Sequence, residues 1–307
     1  MSLAVAEVIA RVANGVAELP QDQWDACAGA DNPFVSWHFL SALERSGSVG
    51  GASGWQPLPL VIDDADGQMA AAAPLYAKSH SQGEYVFDQG WADAWERAGG
   101  RYYPKIQLAA PFSPVPGPRL LLRDGAMAPG LIAGIETLVE RNGLSSAHAT
   151  FVAPDQVPLF EANGWLIRED SQFHWTNRGY GDFDDFLAEL SSEKRKNIRK
   201  ERRRAVEGLD IIHLTGGDLT EAHWDIFWEF YQDTGARKWG RPYLTRDFFS
   251  ILGETMADRL LLMLALRNGA PIAGALNLIG GNTLYGRYWG CVEDVPNLHF
   301  ELCYYQA

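Results

Sequence analysis

The two halves of the sequence repeat one pattern: a helix, a strand, a glycine-containing turn and a second strand. In the first half, FLSALE (39–44) precedes a strand and the turn in DADGQMAAAAPL (64–75). In the second half, FFSILGE (248–254) precedes a strand and the turn in RNGAPIAGALNL (267–278). Two matching units in the same order favour a duplicated α/β domain.

Helices alternate with strands along the whole chain, which favours mixed sheets. At 307 residues and 47% hydrophobic content, the chain is long enough for two domains. We predict an α/β fold with α+β mixed sheets in two tandem domains, 1–180 and 181–307. Gly67 and Gly269 should then occupy equivalent hairpin turns. The helix that begins in HFELCYYQA stops early, so we expect the second domain to be truncated at its C-terminus.

The end of the first half is marked by a change in pattern. Apolar residues alternate in WLIRE (165–169) and FHWTN (173–177), which predicts two strands. The glycine-rich stretch NRGYGDFDDF (177–186) follows, and a helical pattern begins inside it. The sequence therefore predicts a domain boundary near Gly181.

The composition excludes several classes of protein. A formal net charge of −13 and a pI near 5.0 argue against DNA as a partner, because the field of the whole protein repels phosphate. Three scattered cysteines and seven dispersed histidines favour a cytoplasmic protein without a metal site. The longest apolar run, LLLMLAL (260–266), is far shorter than the roughly 20 residues of a membrane helix, so we expect no membrane span.

One short segment contains much of the positive charge. Eight of the 26 lysine and arginine residues lie within 194–204, where the spacing predicts a helix with Arg195, Arg199 and Arg202 on one face. Glu201 is the one acidic residue in this run, and like charges at i,i+4 destabilise a helix by about 0.2–0.5 kcal/mol per pair. An anionic ligand such as phosphate would explain the basic face. The alternative is a solvated helix whose charges keep the protein soluble.

Several blocks of the sequence resemble known proteins. LSSEKRKNIRKERRRAVEGLDI is similar to the S-K-x-R-x-x-I-x-x-A-x-x-x-G-V segment of the Fem-type peptidyltransferases, which add amino acids to peptidoglycan precursors. Further blocks resemble the FemAB-like branch of predicted N-acyltransferases. These blocks are NPFVSWHFLSALE, PLYAKSHSQGEYVFDQGWADAW, YYPKIQLAAPFSPVPGPRLL, and LYGRYWG through LHFELCYYQA. The resemblance covers nearly the entire chain.

The resemblance implies both a fold and a role for the basic segment. It implies two GNAT-type acyltransferase domains, in agreement with the duplication, and a family chain that continues past Ala307. In Fem-type enzymes the corresponding segment helps to bind a phosphate-bearing acceptor, and Arg195 and Arg199 are the matching positions. The segment is more basic here than in the family pattern, which leaves tRNA or another anionic carrier as alternatives.

A second candidate site is the strand-to-helix junction in YGRYWGCVEDVPNLHFELCYYQA. In GNAT-type domains the pyrophosphate of the acyl donor lies at such a junction, where helix N-terminal amides favour anions. The usual Arg/Gln-x-x-Gly-x-Gly/Ala loop is absent, so the junction does not by itself indicate coenzyme A binding. We consider His299 and Glu301 as candidate catalytic residues, acting as a general base or orienting an amine. The alternative for His299 is a capping or packing role.

A third set of polar residues lies among tryptophans and tyrosines, a mixture typical of pockets that bind a small polar ligand. The predicted pocket residues are His80, Glu84, Asp88, Tyr102, Tyr103, Lys105, Arg287 and Trp289. The loop ARKWGRPYLT adds Lys238 and Tyr243 as candidate acceptor-binding residues. The alternatives are the hydrophobic core for the aromatic residues and a surface charge for Lys238.

These features predict an N-acyltransferase that moves an acyl or aminoacyl group to an amine, with a cell-wall precursor as one candidate acceptor. We expect no tightly bound cofactor. The candidate donors are acyl-CoA, acyl-carrier protein and aminoacyl-tRNA, and the acceptor is a small-molecule or peptidyl amine. One alternative is a non-catalytic module that binds a phosphate-bearing or cell-wall-related ligand, and another is an RNA-binding protein.

Overall fold

The computed structural model describes residues 9–238 and 242–307, without the side chains of 236–238. The helices are α1 (Gln21–Ala28), α2 (Trp37–Arg45), α3 (Gln89–Arg97), α4 (Ala128–Arg141), α5 (Val157–Ala162), α6 (Phe183–Ala188), α7 (Ser192–Ala205), α8 (Glu221–Lys238), α9 (Arg246–Thr255) and α10 (Leu298–Phe300), which continues as a π-helix over Glu301–Tyr305. The strands are β1 (Ala10–Val12), β2 (Trp55–Pro57), β3 (Leu60–Asp63), β4 (Met69–Ala73), β5 (Leu75–Lys78), β6 (Lys105–Leu108), β7 (Leu121–Leu122), β8 (Ala147–Ala149), β9 (Asp210–Leu214), β10 (Leu260–Arg267), β11 (Ala270–Gly280) and β12 (Thr283–Cys291).

Within the described residues, the named strands form three four-stranded sheets. The first half contains an antiparallel sheet in the order β1-β3-β4-β7 and a second sheet in the order β2-β5-β6-β8, in which β6 and β8 run parallel. The second half contains one antiparallel sheet in the order β12-β11-β10-β9. Helices lie between the strands along the chain, so the predicted mixed α/β fold is confirmed.

Each of the two glycines singled out in the repeat lies in a hairpin turn. Gly67, with φ of +74°, connects the antiparallel strands β3 and β4, and Gly269, with φ of +80°, connects β10 and β11. Glycine adopts this left-handed backbone region without a steric penalty. The helices that precede the two hairpins, α2 and α9, pack together through an edge-to-face contact of Phe39 with Phe248, whose ring centroids are 5.7 Å apart. The superposition of the two units stays a prediction.

The prediction of two strands at the end of the first half was wrong. Residues 165–169 and 173–177 have no regular secondary structure. Leu166 is 96% exposed and Phe173 is fully exposed. The alternation of apolar side chains predicted strands, but no strand among the described residues pairs with these segments. Without such hydrogen bonds the alternation alone does not stabilise a strand.

A hydrophobic core extends across the predicted domain boundary. It includes Phe34 and Phe39 from the first half together with Phe248 and Leu262 from the second. The ring of Phe34 also contacts the edge of Tyr285 on β12, at a centroid distance of 5.4 Å. The two halves therefore bury apolar surface against each other, while the boundary near residue 181 stays a prediction.

Helix α8 lies so close to strand β12 that a side chain does not fit at Gly290. A Cβ atom there would be 2.2 Å from the carbonyl oxygen of Phe230 in α8. Because that oxygen belongs to the backbone, it cannot rotate away as a side chain would. The close approach fixes the position of β12 immediately after Arg287 and Tyr288.

We expect Gly290→Ala to lower the free energy of unfolding by at least about 2 kcal/mol, because overpacking costs about 1–3 kcal/mol even where neighbouring side chains can adjust. Denaturant titration followed by tryptophan fluorescence measures the change. Gly90→Ala is the matched control, since a Cβ atom at Gly90 in α3 would have no neighbour within 4 Å. Equal stability of the two variants would contradict the close packing.

Candidate functional site

A β-bulge in β12 brings an arginine and a tyrosine together where the two halves meet. Leu276 of β11 pairs with Tyr288 and the next residue, Asn277, pairs with Gly286, so Arg287 is the extra residue of the bulge. The Arg287 Cζ atom lies 4.8 Å from the centroid of the Tyr288 ring and 5.7 Å from that of Tyr85. Consecutive residues in a regular strand point to opposite faces, so the bulge is what allows this contact.

Both halves contribute to the surroundings of this arginine, which we call the Arg287 cluster. Its members are Tyr85, Phe112, Ser113, Tyr231, Tyr243, Arg287 and Tyr288. Arg287 Nη2 donates a hydrogen bond to the carbonyl oxygen of Phe112 at 2.7 Å. The ring of Phe112 stacks on that of Tyr243 at a centroid distance of 5.0 Å, and Tyr231 contacts Tyr288 at 5.8 Å. The cluster therefore joins a loop of the first half to α8, β12 and the loop before α9.

Three polar atoms of the cluster are buried without a hydrogen-bond partner among the described residues. They are Arg287 Nε, the Tyr288 hydroxyl and the Ser113 hydroxyl. Leaving such a group unpaired costs about 1–3 kcal/mol, so native proteins rarely do it without a reason. Burial also raises the pKa of Tyr288 to about 12, so its hydroxyl keeps its proton at neutral pH. Unpaired donors at a boundary between chain segments indicate a ligand-binding position.

A network of buried charges holds the segment that carries Tyr85. Lys105 on β6 is completely buried, and its Nζ atom lies 2.8 Å from Glu84 Oε2 and 2.7 Å from Asp88 Oδ2. The same ammonium donates to the hydroxyl of Ser81 at 3.0 Å. Tyr85 itself has φ of +57°, a region that non-glycine residues rarely adopt. The three contacts of Lys105 therefore fix this segment to the sheet and hold Tyr85 near Arg287.

A second buried lysine, Lys78 on β5, has different surroundings. Its Nζ atom donates to the carbonyl oxygen of Gln82 at 3.2 Å and lies 3.7 Å from the centroid of the Trp55 ring. No carboxylate among the described residues forms an ion pair with it. Burial lowers the pKa of Lys78 to about 7, because a charged amine is poorly solvated there.

The predicted pocket residues are distributed over four places. Glu84, Asp88, Tyr102, Tyr103 and Lys105 lie together, but as a largely buried network and not around an open pocket. His80 lies against Gly54, and Trp289 contacts His299 at a centroid distance of 5.1 Å. Arg287 is the centre of the cluster described above. Their roles in ligand binding stay predictions.

Of the two loop residues predicted to bind an acceptor, Tyr243 belongs to the Arg287 cluster. The side chain of Lys238 lies outside the described residues. Tyr243 is 36% exposed and Tyr85 is 45% exposed, so the cluster reaches solvent at these two rings. Burial raises the pKa of Tyr243.

The two residues predicted to act in catalysis have unlike surroundings. His299 is exposed and packs against the rings of Trp289 and Tyr304. Glu301 is 1% exposed, and its carboxylate accepts hydrogen bonds from Arg202 Nη2 at 2.8 Å and from Nε at 2.9 Å. Both prongs of the guanidinium therefore hold this buried carboxylate in place. This contact connects α7 to the C-terminal helix, and a catalytic role for His299 or Glu301 stays a prediction.

The basic segment forms helix α7, but its arginines have partners outside the segment. Arg195 Nη1 donates to the carbonyl oxygens of Ala188 and Leu190 at 3.0 and 3.1 Å, just after α6. Arg199 Nη2 lies 2.8 Å from Asp184 Oδ1 in α6. These groups precede the segment in sequence and reach α7 through the fold, so the scarcity of acidic residues within the run does not leave Arg195 and Arg199 unpaired.

An open pocket of about 390 Å³ lies between α6 and α7. It is lined by Asp182, Phe183, Asp184, Leu187, Arg199 and Arg202. The guanidinium of Arg202 stacks over the ring of Phe183 at 4.2 Å, and each arginine already faces an acidic partner. The expected common anion site of Arg195 and Arg199 is therefore not formed by free guanidinium groups, and phosphate binding by α7 stays a prediction.

Most members of the Arg287 cluster were not predicted from the sequence. Tyr85, Phe112, Ser113, Tyr231 and Tyr288 come from four separate stretches of the chain. The signal that was present is the motif YGRYWG, in which an arginine stands among aromatic residues within a strand. Nothing in this motif predicts the bulge that turns Arg287 towards Tyr288.

The described part of the chain contains neither a metal-binding cluster nor a membrane-spanning helix. No group of three or more His, Cys, Asp or Glu side chains in that part is placed to hold a metal ion. Among the same residues, no helix has both the length and the apolar character that crossing a bilayer requires.

Comparison with protein families gives a match over residues 15–307. The matching family is FemAB-like, described as peptidoglycan biosynthesis/recognition. The chain belongs to the FemAB-like family. The resemblance predicted from the sequence blocks is therefore confirmed. No curated protein matches the sequence.

Solved structures give similarities to this FemAB-like protein at low identity. A conserved protein of unknown function from Bacteroides thetaiotaomicron VPI-5482 has a TM-score of 0.52 and 13% identity, over 97% of this chain and 86% of that chain. L-PGS from Bacillus licheniformis has a TM-score of 0.47 and 9% identity, over 88% and 70%. A tandem GNAT protein from the clavulanic acid biosynthesis pathway has a TM-score of 0.41 and 13% identity, over 90% and 76%. The first similarity extends to the fold alone, and the other two carry no conclusion about this chain.

Replacing Arg202 and Arg199 separately tests the structural role of α7. Arg202→Met leaves the buried carboxylate of Glu301 unpaired, and we expect a loss of about 3 kcal/mol in the free energy of unfolding. Arg199→Met breaks an exposed pair with Asp184 and should cost less than about 1 kcal/mol. Denaturant titration of both variants measures the difference. Similar losses for the two variants would show that the Arg202–Glu301 pair is not structural.

The lowered pKa of Lys78 predicts a pH dependence of stability. Between the folded pKa of about 7 and the ordinary value of 10.5, the unfolded chain binds a proton at Lys78 that the folded chain does not. The free energy of unfolding should therefore rise with pH across this window, by at most about 1.4 kcal/mol per pH unit, and lose this contribution as the pH falls through 7. Lys78→Met should remove that rise.

Denaturant titrations from pH 6 to pH 9 on the parent and on Lys78→Met measure this pH dependence. Lys196→Met, at an exposed position of α7, is the control and should keep the slope of the parent. Parallel curves for the parent and Lys78→Met would contradict the assignment.

Proposed function

We propose that this FemAB-like protein is an N-acyltransferase that joins an acyl or aminoacyl group to an amine at the Arg287 cluster. The observation that carries the proposal is the buried hydroxyl of Tyr288, which lies beside Arg287 and has no hydrogen-bond partner among the described residues. Acyl transfer needs donors of this kind, because negative charge develops on the carbonyl oxygen as the amine attacks. Family membership supports the same conclusion, since the family is described by peptidoglycan biosynthesis/recognition.

The reaction requires little from the protein beyond placement and hydrogen bonding. A neutral amine attacks the carbonyl carbon of a thioester or ester, the C–N bond forms, and the C–S or C–O bond of the donor breaks. The amine loses one proton, and the leaving thiolate or alkoxide gains one. The Tyr288 hydroxyl keeps its proton at neutral pH because burial raises its pKa to about 12, so it can donate to the developing oxyanion. No covalent enzyme intermediate is needed.

The identities of the acyl donor and of the amine acceptor also belong to the proposal. Acyl-CoA, acyl-carrier protein and aminoacyl-tRNA are the candidate donors. The acceptor is a small-molecule or peptidyl amine, and the family description supports a cell-wall-related compound. A cytoplasmic location fits these donors and belongs to the same proposal.

A non-catalytic binding module is the second candidate. The open pocket between α6 and α7 favours it, because Arg199 and Arg202 line that pocket. On this reading α7 binds a phosphate-bearing ligand or RNA. The acidic lining by Asp182 and Asp184 weakens the case, since both carboxylates would repel a phosphate.

Mass spectrometry of reaction mixtures tests the proposed chemistry. The protein is incubated with acyl-CoA, acyl-carrier protein and aminoacyl-tRNA in turn, each with a panel of peptidyl amines, and we expect a product that depends on one donor. Tyr288→Phe should lower kcat about 100-fold, the typical effect of removing one oxyanion donor. Tyr304→Phe, at an exposed ring outside the cluster, is the control and should keep the activity of the parent. Saturable ligand binding without product from any donor would favour the binding module.

A further inference from the structure

The positive charge of Arg287 has no role in the proposed acyl transfer. Its guanidinium is half-buried, and the one hydrogen bond that it makes among the described residues goes to a neutral group, the carbonyl oxygen of Phe112. Its other neighbours are the rings of Tyr85 and Tyr288. No carboxylate among the described residues forms an ion pair with it, and its Nε atom is buried without a partner. A cation with this environment is incompletely compensated.

Two other buried or half-buried arginines show how this chain can satisfy a guanidinium. Arg119 is completely buried, and its three nitrogens donate to the carbonyl oxygens of Thr150, Pro118 and Val115. Arg202 forms a two-pronged contact with Glu301. Arg287 has neither a full set of carbonyl acceptors nor an acidic partner, although acidic residues outnumber basic ones by 39 to 26 in the chain.

We propose that Arg287 binds an oxyanion group, a carboxylate or a phosphate, on the substrate of this site. The guanidinium presents its N–H donors in a planar fork that matches such groups. The rings of Tyr85 and Tyr288 restrict the orientation of that fork, and the exposed parts of Tyr85 and Tyr243 mark the side open to solvent. The unpartnered Tyr288 hydroxyl lies on the neighbouring residue and adds a neutral donor.

The inference rests on the proposed function in one respect, because it names the acceptor class of that reaction. The acceptor would carry an amine together with a carboxylate or phosphate, as an amino acid, a peptide with a free C-terminus or a phosphorylated amine does. Arg287 would fix the anionic end while the amine approaches the acyl carbonyl. Binding of the anion itself requires no turnover and can be measured separately.

Titration calorimetry at constant ionic strength tests the anion site directly. The probes are glycylglycine, its C-terminal amide and inorganic phosphate, each added to the full chain. We expect one of the two anions to bind, and Arg287→Met to weaken that binding at least about tenfold, as the loss of a charge-assisted pair requires. Arg267→Met removes an arginine paired with Glu293 at a distance from the cluster, and it should bind the probes like the parent.

The probes also separate the sources of the anion. Tighter binding of glycylglycine than of its amide assigns a carboxylate, and binding of phosphate alone assigns a phosphate. Arg287→Lys keeps the charge without the planar fork and should recover only part of the affinity. Equal binding of the acid and the amide, with no binding of phosphate, would overturn the proposal in the parent protein, whatever the folding of the variants. Anion binding without acyl transfer would contradict the proposed reaction and leave the anion site standing.

Discussion

The shared hydrophobic core is the interaction on which the candidate site depends. Phe34, Phe39 and Phe248 pack across the middle of the molecule, and α8 lies directly on β12 at Gly290. This packing brings a loop of the first half to within 2.7 Å of Arg287, which the second half contributes. Neither half by itself contains the complete Arg287 cluster. A change that separated the two halves would therefore disrupt the site even if every residue of the site were kept.

A buried cation in this protein is usually surrounded by hydrogen-bond acceptors, but Lys78 and Arg287 are two exceptions. Lys105, Arg119 and Arg202 are each satisfied by carboxylates, a hydroxyl or backbone carbonyls. Burial lowers the pKa of Lys78, so this amine can lose its proton and become neutral. An arginine remains protonated at neutral pH, and for this reason we propose an external anion as the partner of Arg287. The same physical requirement thus predicts a pH-dependent lysine in one place and a binding group in the other.

The family and much of the fold could be predicted from the sequence, because they depend on local patterns. Periodic apolar residues and glycine turns predicted α2, α7, α9 and both hairpins, and long sequence blocks predicted the FemAB-like family. The strands at 165–169 and 173–177 failed because a strand needs a partner, and periodicity does not report one. The partners of Arg199 and Arg202 could not be predicted for a similar reason, since Asp184 and Glu301 lie outside the segment.

The sequence by itself determined which residues can form helices and strands, where the chain turns, and that basic charge concentrates on one face of α7. The tertiary structure decided which of those charges are neutralised and which are left over. Charge compensation depends on distances of a few ångströms between residues far apart in sequence, as between Arg287 and Phe112 or between Arg202 and Glu301. The β-bulge that brings Arg287 against Tyr288 likewise exists in the pairing of β11 with β12, and neither strand encodes it separately.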